Sequence, residues 1–263
     1  MSTADPNWLN LTASGVLVAL AVGLSVAQHL GLQRTILWAA VRALVQLAAV
    51  GVVLGFLLAD DTSILWSWIW VVVMVVFAAW TTSRRAREVP SVFGLSLAAY
   101  AASSAATLVV LFGLGVFELE PRTLVPLSGM VVGNSLAATV LVGRRLVESL
   151  EERRDEVEAR LALGLTSDEA AAPVVRNAVR TALIPQIETT KAVGIVFLPG
   201  AAVGLILAGA EAATAVKVQL AVMYLILGSV ATTTAVVALG VRRRAFSADH
   251  RLVLDTPSHD RGS

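Results

Sequence analysis

The 263-residue chain contains no cysteine, which excludes disulfides, thiolate metal centres and thiol catalysis together. Charge is also scarce: Asp, Glu, Lys and Arg make up 15% of the residues, well below the usual share in soluble domains. Only His29 lies near an apolar segment, because His250 and His259 sit in a polar tail. One imidazole without thiolates or intramembrane carboxylates cannot build a four-ligand zinc site, so His29 is read as interfacial packing. No Gly-Lys dipeptide occurs, so the chain has no Walker A loop of its own. No serine has an evident base to activate it, which argues against a serine hydrolase. A net charge of +1 gives no footprint for nucleic acid.

What is abundant is apolar surface. Hydrophobic residues make up 57% of the chain and mean hydropathy is +0.78, more apolar surface than a soluble fold could cover. A helix crossing about 30 Å of hydrocarbon needs roughly 20 apolar residues. Seven segments meet or approach that length, at 9–30, 36–58, 64–82, 92–117, 125–142, 193–208 and 220–240, the fifth and sixth being the shortest. The first is read as a retained helix rather than a secretory signal, because the residues before it lack a basic region and include Asp5, and its apolar run is too long.

The predicted fold is therefore an all-α, polytopic membrane protein of seven transmembrane helices. One permease domain spans 1–245, with an insert at 144–190 and a polar, disordered tail at 246–263. Arg34, Arg84, Arg85, Arg87, the basic residues of the insert and Arg242 to Arg244 fall on one side of this arrangement. The DDTS loop at 60–63, Glu118, Glu120, Arg122, Glu211 and Lys217 fall on the other. The positive-inside rule then puts the N-terminus outside and the insert and C-terminus in the cytoplasm of an inner-membrane protein.

No Asp or Glu lies inside the seven spans, which weakens a proton-coupled carrier, since such proteins usually hold an ionisable relay at depth. Arg42 is the clear charge within a span. It either snorkels to the headgroups or, with Trp38 and Gln46 four residues to each side, forms a polar face toward the bundle interior. The fifth span carries GMVVGNS, in which Gly129 and Gly133 have small-xxx-small spacing. Met130 and Asn134 stack one turn apart there, and an amide in hydrocarbon needs a partner or water. In the sixth span Pro199 and Gly200 predict a kink or break, which marks either a bend or a substrate site.

The charged insert divides in two. Residues 144–163 read as a charged helix continuing the fifth span, with Leu146, Leu150, Val157 and Leu161 on one stripe. Arg154 with Glu158 and Glu156 with Arg160 should pair along it. Gly164 stops that helix, and Thr166 with Glu169 has capping-box spacing. The prediction is a short helix over 167–171, a new start at Pro173 and an end near Ile184, before Pro185. A short helix between two turns suits docking into a partner's groove. A solvated linker is the plainer alternative.

Several of these segments resemble the FetB-type permeases of ABC transporters. They are LALGLTSDEA at 161–170, RTALIP at 180–185, VGIVFLPG at 193–200 with ILAG at 206–209, R-x-x-x-Q-L at 42–47 and GMVVGNS at 129–135. The likeness runs from the second span to about Gly240. It implies a homodimeric membrane subunit, itself no enzyme, that exports metal ions, iron being the best-known assignment, with relatives linked to aluminium tolerance. ATP and Mg would be held by a separate cytoplasmic ATPase, so this chain needs no cofactor of its own.

The resemblance makes Glu158, Gly164, Thr166, Ser167, Asp168, Glu169 and Pro173 the ATPase-coupling candidates. Arg42, Gln46, Met130, Asn134, Pro199 and Gly200 are the pathway candidates. Glu158, Ala159 and Gly164 also resemble the opening of the EAA loop of import permeases. The chain departs from the family pattern after Leu-Pro-Gly, at Ala201 to Leu205, and again at Glu188, Leu136 and Ala137. Thioethers and amides expected there are missing, so the resemblance speaks for the power source more than for the cargo. A self-contained carrier or channel, distinguished by gradient-driven flux without an ATPase, and a non-transporting scaffold are the alternatives.

Overall fold

A computed structural model of the protein describes residues 8–59, 61–247 and 249–253. Expectations that fall on residues 1–7, on Asp60 and on 254–263, His259 included, lie outside the described residues. Among the described residues the regular structure is all helix, apart from two isolated bridges. It divides into two compact units, Met1–Ile64 and Leu65–Ser263.

The first unit holds α1 (Trp8–Ala27) and α2 (Gln33–Leu57). They join through a tight turn in which the Ser25 carbonyl accepts the Leu30 N–H and the Ser25 hydroxyl accepts the Leu32 N–H at 3.1 Å. Gly31 takes a left-handed conformation there, φ +69°, which only glycine adopts without strain. His29 stands exposed in this turn. Trp38, Arg42 and Gln46 are all exposed along α2.

The second unit holds α3 (Ile64–Arg85), α4 (Val92–Gly113), α5 (Pro121–Glu152), α6 (Arg154–Ala162), α7 (Ser167–Ala192), α8 (Gly200–Leu207) and α9 (Ala212–Ala245). Helices α4, α5, α7 and α9 pack together, and small or hydroxylated side chains let them approach. Ser103 donates to the Ser229 carbonyl at 3.1 Å, Ser135 donates to the Ser229 hydroxyl at 3.2 Å, and Ala99 and Ala238 are buried. Within a bilayer such helices gain nothing from apolar burial relative to lipid, so close backbone contact and these hydrogen bonds hold the bundle.

Helices α2, α3, α4, α5 and α9 are long and apolar enough to cross a membrane. This is a multi-span membrane protein, as fits the inner or plasma membrane. Of the seven expected spans, these five stand clearly. The described apolar part of α1, Gly15–Ala27, is shorter than a crossing.

The sixth expected span, 193–208, is not a continuous helix. Gly194 adopts φ +91° just after the end of α7, a conformation that ends helices. Residues 193–199 are non-helical, and Pro199 is the N-cap of the eight-residue α8. At 1.5 Å per residue α8 covers only about 12 Å.

Two more expectations need correction. The charged helix over 144–163 is interrupted at Arg153, which separates α5 from α6. The predicted short helix over 167–171, restart at Pro173 and end before Pro185 are instead one helix, α7, running through both prolines for 26 residues. An interior proline costs about 3 kcal/mol. Here Ala170, Ala171, Val174, Ala178 and Ala182 form a stripe buried in the core with residues of α5 and α9, and that packing holds the helix. Exposed Glu169, whose carbonyl loses its donor at Pro173, can turn to water instead.

The tail also has an ordered start. Phe246 bridges to Leu252, whose side chain is buried in the same core, and the Val253 N–H donates to the Ala245 carbonyl at 2.8 Å.

Candidate transport groove and elbow

Helices α7 and α9 run antiparallel. Asp168 Oδ1 lies 3.0 Å from Arg242 Nε, and Ala182 shares a cavity with Val230, about a dozen residues back along α9, or roughly 18 Å. The second half of the charged insert is therefore not outside the bundle. It runs beside the middle of α5 and α9 and brings Gln186, Thr189, Thr190 and the Glu188–Lys191 ion pair (2.9 Å) to that level.

Asn134, Ala137, Ala138 and Leu141 of α5, Ala182, Pro185, Gln186 and Thr189 of α7, and Val230 line a cavity of about 160 Å³. Asn134 is exposed and donates its amide N–H to the Met130 carbonyl at 2.8 Å. Met130 itself is half-buried and packs against the Leu127, Val131 and Ile226 cluster. Ala137 and Leu141 also line a wider cleft of about 740 Å³, with Arg87, Glu88, Arg144, Arg145, Glu148 and Glu151 around it. The two spaces share Ala137 and Leu141 on α5, one with a charged mouth and the other with an amide, and are taken together as a groove. At the mouth Arg144 pairs with Glu88 at 2.6 Å and Arg145 with Glu148 at 2.9 Å.

Pro199 and Gly200 do not line this cavity. They start α8, which is anchored to α9 because the Ala202 N–H donates to the buried Gln219 side-chain carbonyl at 3.1 Å. Gln219 thus serves as a cap supplied from another helix. Arg42 and Gln46 belong to the first unit, four residues apart on α2.

The coupling candidates gather at an elbow between α6 and α7. Gly164 turns the chain with φ +88°, and its N–H donates to the Leu161 carbonyl at 2.9 Å. Thr166 and Glu169 form the capping box, with the Thr166 N–H donating to Glu169 Oε2 at 2.9 Å. That bond and the Thr166 hydroxyl hold the Glu169 carboxyl below the ordinary glutamate value. Ser167 Oγ meets His250 Nδ1 at 2.5 Å, and Arg154 donates to the Leu252 carbonyl at 3.1 Å, so the tail clasps the elbow. Glu158 pairs with Arg154 at 2.9 Å and Glu156 with Arg160 at 2.7 Å, as the sequence spacing predicts. Pro173 sits farther along α7, half-buried. At the tip, Leu163 is 82% exposed and Leu165 40%.

Sequence reasoning missed Gln186, Thr189, Gln219 and His250. The first two read as polar insert and the last as polar tail. Among the described residues no three His, Asp or Glu side chains come together as a metal centre.

The chain matches the family described as Uncharacterised protein family (UPF0014) over residues 8–246. It belongs to the UPF0014 family. UPF0014 relatives include "UPF0014 membrane protein STAR2" of Oryza sativa subsp. japonica, 37% identical over 84% of this chain and 77% of the relative. "Probable iron export permease protein FetB" of Escherichia coli strain K12 is 32% identical over 93% of this chain and 94% of its own. "Protein ALUMINUM SENSITIVE 3" of Arabidopsis thaliana is 34% identical over 86% and 85%. No solved structure matches the chain. The family match and the membrane-spanning helices make the chain a multi-span UPF0014 membrane protein.

Proposed function

We propose that this UPF0014 protein is the membrane subunit of an ATP-driven exporter of metal ions, working as a homodimer with two copies of a cytoplasmic ATPase that holds ATP and Mg. The observation that carries the reading is the pairing of an exposed leucine-tipped elbow with a groove. Helix α7 begins at the elbow and ends beyond the groove's amide end, so a partner that moves Thr166 must also move Gln186. The printed name of the Escherichia coli relative supports metal export, and the FetB-type motifs support the separate ATPase.

In this reading the basic groups around Arg144 and Arg242 face the cytoplasm. The sixth crossing is composite: the upper part of α7, the 193–199 break and α8. Asn134 and Met130 act in the pathway, Pro199 and Gly200 at the break, and Arg42 and Gln46 are the candidates in the first unit. The coupling contact comprises Leu163, Gly164, Thr166, Ser167, Asp168 and Glu169, with Glu158 and Pro173 supporting it.

The test is co-expression with the ATPase encoded nearest to the permease, followed by co-purification and ATP hydrolysis in nanodiscs. Leu163→Asp should lower ATPase capture at least tenfold while leaving the permease in the membrane. Unchanged capture and metal-stimulated hydrolysis in that variant would remove the elbow from the coupling contact. Capture without stimulation by iron or any other metal would remove metal as cargo.

A further inference from the structure

The small cavity between α5 and α7 has a particular hydrogen-bonding polarity. A backbone carbonyl can only accept, so the Asn134 bond to Met130 fixes the amide with its nitrogen toward its own helix and its oxygen away. On α7 the Thr190 hydroxyl donates to the Gln186 carbonyl at 2.8 Å and so accepts from the Gln186 side-chain nitrogen, at 3.5 Å. That turns the Gln186 amide oxygen away from Thr190. The Thr189 hydroxyl spends its single proton on the Pro185 carbonyl at 2.8 Å, which leaves oxygen lone pairs. Pro185, having no N–H, cannot donate to the Thr181 carbonyl one turn back.

No charged residue lines this space. The nearest carboxylate along α7, Glu188, is engaged by Lys191. Small side chains at Ala137, Ala138 and Ala182 leave about 160 Å³, room for about five waters at roughly 30 Å³ each. Neutral oxygens hold hard cations, those that keep part of their water shell, in preference to soft ones that seek sulfur. A site without a carboxylate also binds weakly enough to release its occupant.

We propose that Asn134, Gln186 and Thr189 form a transit site for a hard, partly hydrated divalent cation, reached along α5 from the charged mouth at Arg144 and Glu88. This rests on the transport reading above and adds the position and the coordination chemistry.

Mn²⁺ is the probe, because its free electron paramagnetic resonance signal disappears on binding. The full chain in nanodiscs should show one saturable Mn²⁺ site per protomer. Asn134→Leu and Gln186→Leu should each weaken it at least tenfold. Because the chain has no cysteine, Asn134→Cys introduces a unique thiolate and should bind Cd²⁺ at least tenfold more tightly than the unaltered protein. That gain stays informative even if a leucine variant misfolds. No saturable Mn²⁺ binding, Mn²⁺ binding unchanged in both leucine variants, or no Cd²⁺ gain with Asn134→Cys would each overturn the assignment. ATPase capture by the same samples separates the two readings. Intact capture without a Mn²⁺ site sinks the cation site alone, and lost capture with a Mn²⁺ site sinks the coupling reading alone.

Discussion

At single positions, two glycines illustrate different constraints. A Cβ on Gly240 would stand 2.1 Å from Leu95 Cδ1 and 3.2 Å from its Cγ, so the buried Leu95 side chain of α4 occupies the space that a side chain on α9 would need. Gly240→Ala should cost about 1–3 kcal/mol by overpacking, read as a lower thermal midpoint in detergent. Adding Leu95→Ala should recover part of that loss, and strictly additive effects would show that the two positions do not meet. Gly164 has open space around it but φ +88°. Gly164→Ala should therefore cost about 1–2 kcal/mol of local backbone strain, seen as faster hydrogen exchange in the elbow while the spans stay protected.

At the level of elements, the start of α7 carries a complete capping box, Thr166 accepting from the Glu169 N–H and Glu169 from the Thr166 N–H. Because the folded Glu169 carboxyl titrates below its ordinary value, its contribution is full above the unfolded glutamate pKa. It is lost as pH falls through the folded one, so the first turn should loosen below about pH 4. Hydrogen exchange at 167–170, corrected for intrinsic rates, should show this acid loosening, and Glu169→Gln should abolish it. His250→Ala should weaken the same turn at neutral pH by removing the Ser167 contact. If protection there is unchanged, the tail does not clasp the elbow. The capping box, the Arg154–Glu158 pair and the Gly164 stop were legible because each is a local rule with fixed spacing. The continuity of α7 was not, since its two prolines read as breaks and the stripe from Ala170 to Ala182 contains one residue larger than alanine. What overrides the prolines is a surface on α5 and α9 that no local pattern displays.

For the molecule as a whole, hydropathy located α2, α3, α4, α5 and α9 to within a few residues at most of their ends. It failed where a helix carries polar side chains along an open cleft, because Gln186 and Thr189 have the signature of a soluble segment while sharing that cleft with Val230 of α9. Asn134 stood out for the opposite reason, as an amide in an apolar run. The arrangement predicts how single introduced cysteines react with a membrane-impermeant thiol reagent. Positions 164 and 243 should label from one face and position 211 from the other, and labelling of all three from one face would contradict a crossing by α9. Helix α7 also has a mechanical consequence. It is about 39 Å of unbroken helix seated on alanines, so it can act as a lever resting on Ala178. A tilt of about 10° there would swing the elbow and Thr189 by about 3 Å in opposite directions. That stroke is about the width of a water molecule, enough to open or shut a cavity of this size without refolding any part of the bundle.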